Sequence, residues 1–278
     1  MDLNNVVNKI FNDEWENVFP QIPNDSIDLI ITSPPYNIDL GQSEFKDAYD
    51  SHNDNMSFDS YLTWMSLLFC NCHRILKQGG RLCINVADAS NGSIPTHAYF
   101  ISMLLGKFIN SQNVNLEKQF EYITTIVWDK GQMGSSTAWG SWLSPNCPSF
   151  PTQFEYIIIV GKGTKYHNGE KDSITVTRDN FITNSRALWR FAPETKMREY
   201  GHPAMFPEEL PRRLIDQLSY QNDIVLDPFN GLGTTTVVAK QMGRQYIGIE
   251  KSKIYYDKSI ERMASIPLMV SGVPSWMS

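Results

Sequence analysis

The 278-residue chain is 41% hydrophobic and 12% aromatic, enough apolar material for one large domain or one domain with an insertion and far from a disordered composition. No apolar run reaches the roughly 18 residues of a membrane span, residues 1–11 lack a signal-peptide pattern, and Cys70, Cys72, Cys83 and Cys147 form no C-x-x-C pair, so a cytoplasmic protein with reduced thiols and no metal is expected. The net charge of −6 argues against a blanket of positive charge, yet residues 1–60 hold two basic and twelve acidic side chains while residues 161–200 hold eight basic and five acidic. A locally basic face of that kind can meet phosphates.

In chain order, Ile27 to Ile31 reads as a buried strand that leaves the sheet at Thr32-Ser33-Pro34-Pro35-Tyr36, because proline has no N–H for a ladder. Open α/β sheets bind ligands beyond the carboxyl ends of their strands. A polar, acidic segment follows from Asn37 to Asn55, too long for an idle loop in a compact domain. Asp59 to Lys77 has helical periodicity, with Gly79-Gly80 as the expected stop and Arg81 to Val86 as the next strand. His97–Phe108 reads as a helix, and Tyr122–Trp128 and Phe154–Val160 as strands. Residues 164–200 are polar, basic and irregular, and are expected to lie outside the sheet. A helix through Leu210, Leu214, Ile215 and Leu218 precedes strand Ile224–Leu226, helix Thr235–Gln241, strand Gln245–Ile249 and helix Ile254–Met263. Alternating strands and helices predict an α/β fold with a mainly parallel sheet covered on both faces.

The second informative stretch is Asp227-Pro228-Phe229-Asn230-Gly231-Leu232-Gly233-Thr234-Thr235. It lies between a strand and a helix, where glycines permit a tight turn and a close approach to a ligand. Helix N-terminal N–H groups and threonine hydroxyls offer donors to an anion there. Glu250 ends the next strand, 19 residues beyond Gly231, the spacing at which an acid reaches ribose hydroxyls. The third glycine of a dinucleotide fingerprint is missing. One nucleoside with a small zwitterionic tail therefore suits the loop better than a pyrophosphate.

Together these stretches resemble the S-adenosylmethionine-dependent DNA methyltransferases that act on exocyclic amino groups. Thr32-Ser33-Pro34-Pro35-Tyr36 is similar to their catalytic signature, Asp227 to Thr235 to their cofactor motif, and His202-Pro203-Ala204 to the segment beside the cofactor's methionine part. Catalytic motif first and cofactor motif last is the order of the β group. The resemblance spans roughly residues 12–263 and implies a Rossmann-like methyltransferase fold. In detail it implies a mostly parallel seven-stranded sheet, helices on both faces, circularly permuted motif order and a small target-recognition insertion. The corresponding division is 1–130 for the catalytic half, 131–200 for the insertion and 201–278 for the cofactor half.

The resemblance also implies roles. Asp227, Phe229, Gly231, Gly233, Thr234 and Thr235 would hold the methionine moiety, Glu250 the ribose, and Asp13 the adenine amino group, with His202 and Pro203 walling the pocket. Ser33, Pro34, Pro35 and Tyr36 would be catalytic. The Ser33 hydroxyl and the Pro34 carbonyl can accept the protons of an amine whose lone pair is otherwise delocalised into the base, stabilising the charge that develops as methyl arrives. The base must leave the duplex first, and Tyr36 offers a face for it to stack on. No metal is needed. C5-cytosine methylation would need a cysteine preceded by proline, whereas Cys147 is followed by one.

Serine at the first signature position leans towards N4 of cytosine, and aspartate towards N6 of adenine, which stays the alternative. An RNA or protein amino-group methyltransferase, whose signature usually begins with asparagine, and an inactive DNA-binding subunit are further alternatives. Expected partners are double-stranded DNA and a restriction endonuclease of the same site, with the chain a monomer or homodimer. DNA-facing candidates are residues 37–55, 131–153 and 161–200, with Asn37, Lys130, Arg178, Arg186, Arg190, Lys196 and Arg198 as contacts.

Overall fold

The computed structural model describes residues 2–37, 56–89, 94–106, 120–131, 140–150, 152–194 and 205–266. In chain order the described elements are β1 (Lys9–Phe11), α1 (Trp15–Val18), β2 (Ile27–Thr32), α2 (Phe58–Ile75), β3 (Leu76–Ala87), α3 (Thr96–Leu104), β4 (Phe120–Asp129) and β5 (Phe154–Lys162). They continue as α4 (Arg178–Asn184), β6 (Leu188–Arg190), α5 (Glu209–Leu218), β7 (Ile224–Asp227), α6 (Thr234–Gln241), β8 (Gln245–Ile249) and α7 (Lys253–Ala264). Among the described residues no helix is long and apolar enough to cross a membrane.

The strands form one sheet in the order β1-β8-β7-β2-β3-β5-β4-β6. All neighbours are parallel except β5, which is antiparallel to both β3 and β4. Period-2 alternation splits the core between the two faces. Ile30, Leu82, Ile84 and Leu226 pack with Tyr61, Met65, Phe69 and Phe100 of α2 and α3. Leu29, Ile31, Cys83 and Val225 pack with Leu210, Leu214, Val238 and Ala239 of α5 and α6. Helices thus cover both faces of a mostly parallel sheet, as expected. Asp28, though 2% exposed, accepts from Lys77 Nζ at 2.7 Å and from the Ile224 N–H at 2.9 Å, tying β2 to its neighbours with its charge compensated.

Three expectations need correction. The sheet has eight strands, not seven. Its two edge strands, β1 and β6, are three residues long, too short to show a period in the sequence. Second, the stretch expected outside the sheet returns to it, because Leu188–Arg190 pairs in parallel with Val127–Asp129 and buries Trp189. Phe154–Lys162, inside the 131–200 division, lies between β3 and β4 in the sheet. Third, Gly79-Gly80 does not end α2. The helix stops at Ile75, and Leu76 is already paired with Ile27. The glycines sit where the register jumps from Ile27↔Leu76 to Leu29↔Arg81, so the longer strand bulges outward. Gly79 has φ +77°, and a Cβ there would come within 1.9 Å of the Tyr166 carbonyl oxygen. Close approach, not helix termination, requires it.

Candidate active site

β2 delivers Ser33, Pro34, Pro35 and Tyr36 to the carboxyl edge, and the surrounding elements hold that exit rigid. Tyr61 of α2 donates to the Pro35 carbonyl at 2.7 Å. Ser33 Oγ lies 3.1 Å from Tyr36 Oη, which donates to Glu155 Oε2 at 3.3 Å. Burial, and then the charge of Glu155, push the Tyr36 phenol well above its usual range, so it keeps its proton. Asn37 is 2% exposed at φ +52°. Its side chain donates to the Met56 carbonyl and accepts from the Met56 N–H, both at 2.9 Å, clamping together the two ends of the 38–55 segment. Asn37, expected among the DNA contacts, is thus buried and holds Met56.

Two residues missed in the sequence complete this group. Thr32 pairs with Ile84, so Asn85 of β3 stands beside Ser33. Antiparallel pairing of Ala87 with Glu155 brings β5 in at the same end. Asn85 Nδ2 lies 2.7 Å from Glu155 Oε2, 3.2 Å from Tyr36 Oη and 3.5 Å from Ser33 Oγ. Lys130, just past the end of β4, donates to Glu155 Oε1 and stands 5.3 Å from the centre of the Trp128 ring. Lys130, expected among the DNA contacts, is ion-paired into this cluster. The only sequence signal for Glu155 was an acid near the start of a mostly apolar strand.

The other half of the carboxyl edge is built differently. Asp227 ends β7, is buried, and accepts from the Phe229 N–H at 3.1 Å and from Thr235 Oγ1 at 2.7 Å. Burial raises its carboxyl to about 6 against those bonds. Glu250, past β8, accepts from the Gly231 N–H and the Ser252 N–H, both at 2.8 Å, and burial raises it to about 7. Gly231 and Gly233 take φ +52° and +81°, and Gly233 caps α6. The threonine hydroxyls bond groups of the protein itself. Thr235 serves Asp227, Thr236 serves Asn230 Oδ1 at 2.9 Å, and Thr234 accepts from Arg262 at 3.4 Å. Buried Asn230 has no partner for Nδ2 among the described residues. Asp13 follows β1, the parallel neighbour of β8, and accepts from the Glu14 N–H at 2.8 Å and Asn17 Nδ2 at 2.7 Å. Asn12 Nδ2 donates to the Glu250 and Lys251 carbonyls at 3.0 and 2.9 Å, locking the two acid-bearing turns together. Two carboxylates beyond adjacent strands, beside a glycine turn with a spare buried donor, fit a nucleoside carrying a short polar tail.

The N6/N4 methyltransferase family model, described as DNA methylase, matches residues 27–261. This chain belongs to that family. The Type II methyltransferase M.MjaVI of Methanocaldococcus jannaschii is 34% identical over 191 residues, 67% of this chain and 87% of that protein. M.BglII of Bacillus subtilis is 30% identical over 278 residues, 94% of this chain and 70% of the relative. Among solved structures, a DNA modification methylase of Thermus thermophilus complexed with S-adenosyl-L-methionine has TM-score 0.66 and 25% identity, covering 92% of this chain and 94% of its own. The cytosine-N4-specific PvuII DNA methyltransferase shares the fold at TM-score 0.66 and 18% identity, covering 95% and 88%.

In this methylase the strand order sets the Asp227–Thr235 turn and the Ser33–Tyr36 exit side by side, since β7 is the parallel neighbour of β2. The Phe229 ring packs 5.5 Å from that of Trp64, whose Nε1 donates to Glu16 at 2.7 Å. Of the expected DNA contacts, Arg178 and Arg186 are exposed on and just after α4, and Arg190 is 77% exposed while paired with Asp129 at 2.6 Å. The Gly131 N–H and then Arg190 hold the Asp129 carboxyl below its usual value. His202, Pro203, Lys196 and Arg198 lie outside the described residues.

Proposed function

We propose that this DNA methylase transfers a methyl group from S-adenosylmethionine to N4 of a cytosine flipped out of duplex DNA, within a restriction-modification pair that includes an endonuclease of the same site. The observation that carries the choice of cytosine is Ser33, a neutral hydroxyl at the first position of the signature, where aspartate would lean to adenine.

When bound, S-adenosylmethionine supplies an electrophilic methyl group. Glu250 would hold its ribose hydroxyls, Asp13 its adenine amino group, and Phe229, Gly231 and Gly233 its methionine portion, with Asp227 shaping the loop and His202 and Pro203 closing the pocket. Ser33 Oγ and the Pro34 carbonyl accept the two protons of the target amine. They thereby favour a pyramidal nitrogen and stabilise its developing positive charge. Tyr36, with its hydroxyl anchored, presents a fixed ring to the flipped base. Residues 131–153 and 161–200 would supply the target-recognition surface, with Arg178, Arg186, Arg190, Lys196 and Arg198 available to phosphates or bases.

The test is incubation with methyl-labelled cofactor and mixed bacterial DNA, followed by digestion to nucleosides. N4-methylcytosine is the expected product. N6-methyladenine alone would overturn the choice of base, label in RNA or glutamine alone would overturn DNA as substrate, and DNA binding without transfer would mark an inactive subunit. Methylation-sensitive sequencing of DNA from cells expressing the chain then gives the site.

A further inference from the structure

Glu155 is not in the Ser33–Tyr36 signature, yet its Oε2 contacts Tyr36 of the signature and Asn85 beside it. Its carboxylate is 13% exposed and ion-paired with Lys130 through Oε1. Oε2 receives Asn85 Nδ2 at 2.7 Å and Tyr36 Oη at 3.3 Å. An ionised carboxylate only accepts, whereas a phenol has one proton to give. Tyr36 therefore gives its proton to Glu155, and its oxygen is left to accept from Asn85 at 3.2 Å and from Ser33 at 3.1 Å. Asn85 cannot reverse this order, because its Nδ2 is the atom that faces Glu155. Its Oδ1, buried with the residue 3% exposed, has no partner among the described residues. Donation thus runs one way, from Ser33 to Tyr36 to Glu155, and turns the Ser33 proton away from the position where the target amine must donate.

We propose that Glu155, held by Lys130, is a positioning residue that fixes this direction and so presents Ser33 Oγ to the substrate as an acceptor. This deepens the reading of the chain as an amino-methyltransferase and rests on it. The contact with substrate is made by Ser33, and Glu155 acts through Tyr36. In Glu155→Gln, Lys130 retains the remaining oxygen and the new amide donates to Tyr36. The Tyr36 proton is then driven onto Ser33 Oγ, whose own proton loses Tyr36 as its acceptor and is free to turn towards the substrate amine.

The test is steady-state methylation of DNA by the full chain, read as kcat and KM, with melting temperature as a check on folding. Glu155→Gln is expected to lower kcat about tenfold to a hundredfold while leaving KM for DNA and cofactor affinity near wild type. Glu155→Asp keeps an acceptor and is expected to lose less. Adding Tyr36→Phe to Glu155→Gln removes the misdirected donor and is expected to restore kcat to within about threefold of Tyr36→Phe alone, a result that a purely structural role does not give. Equal losses in Glu155→Gln and Glu155→Asp, no rescue by Tyr36→Phe, or wild-type kcat in Glu155→Gln would each overturn the proposal. If the wild-type chain methylates no DNA base, the functional reading fails first. If it does and the rescue is absent, only the role of Glu155 fails.

Discussion

The two halves of the carboxyl edge do comparable work by different means. On the β1-β8-β7 side, acids are held mainly by backbone N–H groups of their own or a neighbouring turn: Asp227 by Phe229, Glu250 by Ser252 and by Gly231 of the turn after β7, Asp13 by Glu14. On the β2-β3-β5-β4 side the bonds join side chains from four strands: Ser33, Asn85, Glu155 and Lys130. Turn-anchored acids make a rigid cradle. A side-chain network has a direction of donation, which one substitution can reverse.

The largest test of this contrast is Asp227→Ala. It strips a buried acceptor from two donors, at about 1–3 kcal/mol each, and should lower cofactor affinity at least about a hundredfold by calorimetry. Retained affinity would break the picture of a cradle built on that acid. Ser33→Ala attacks the other half and should lower kcat by about 10²-fold with cofactor affinity unchanged. A matching loss of cofactor affinity would mean the halves are not separable.

Glu250 sharpens the comparison through pH. Its carboxyl is raised to about 7, so below that value it is neutral and a poorer acceptor for ribose hydroxyls. Cofactor affinity should fall as pH drops through 7, approaching tenfold per unit, and Glu250→Gln should flatten the profile. Stability of the unliganded chain runs the opposite way. Between the unfolded value near 4.5 and about 7 the folded state keeps a proton that the unfolded state releases. Stability therefore declines as pH rises through that window and levels off above it, with Asp227 adding in the same direction up to about 6. Thermal melts from pH 5 to 8 read this, and a flat curve would overturn it. The smallest expected effect is at the rim. Arg190→Ala should leave the melting temperature within about 2 °C but reduce the salt slope of DNA binding by about 1; an unchanged slope would remove Arg190 from the DNA contacts.

The sequence by itself determined the glycine turn after β7 and the β2 exit. Asp227 to Thr235 and Ser33 to Tyr36 are contiguous, and their chemistry follows from glycine freedom, proline's missing donor and strand-end position. It also determined the alternation of strands and helices, because long periodic segments bury whole faces. Only the tertiary structure decided what pairing brings together. Asn85 and Glu155 lie 70 residues apart and meet because β5 runs antiparallel to β3 in one register. Gly79-Gly80 reads as a helix stop until the Tyr166 backbone is found against it. The three-residue edge strands and the inward turn of the Thr235 hydroxyl were equally hidden. Local propensity acts over a few residues, whereas register and hydrogen-bond direction are set by partners that only the folded chain supplies.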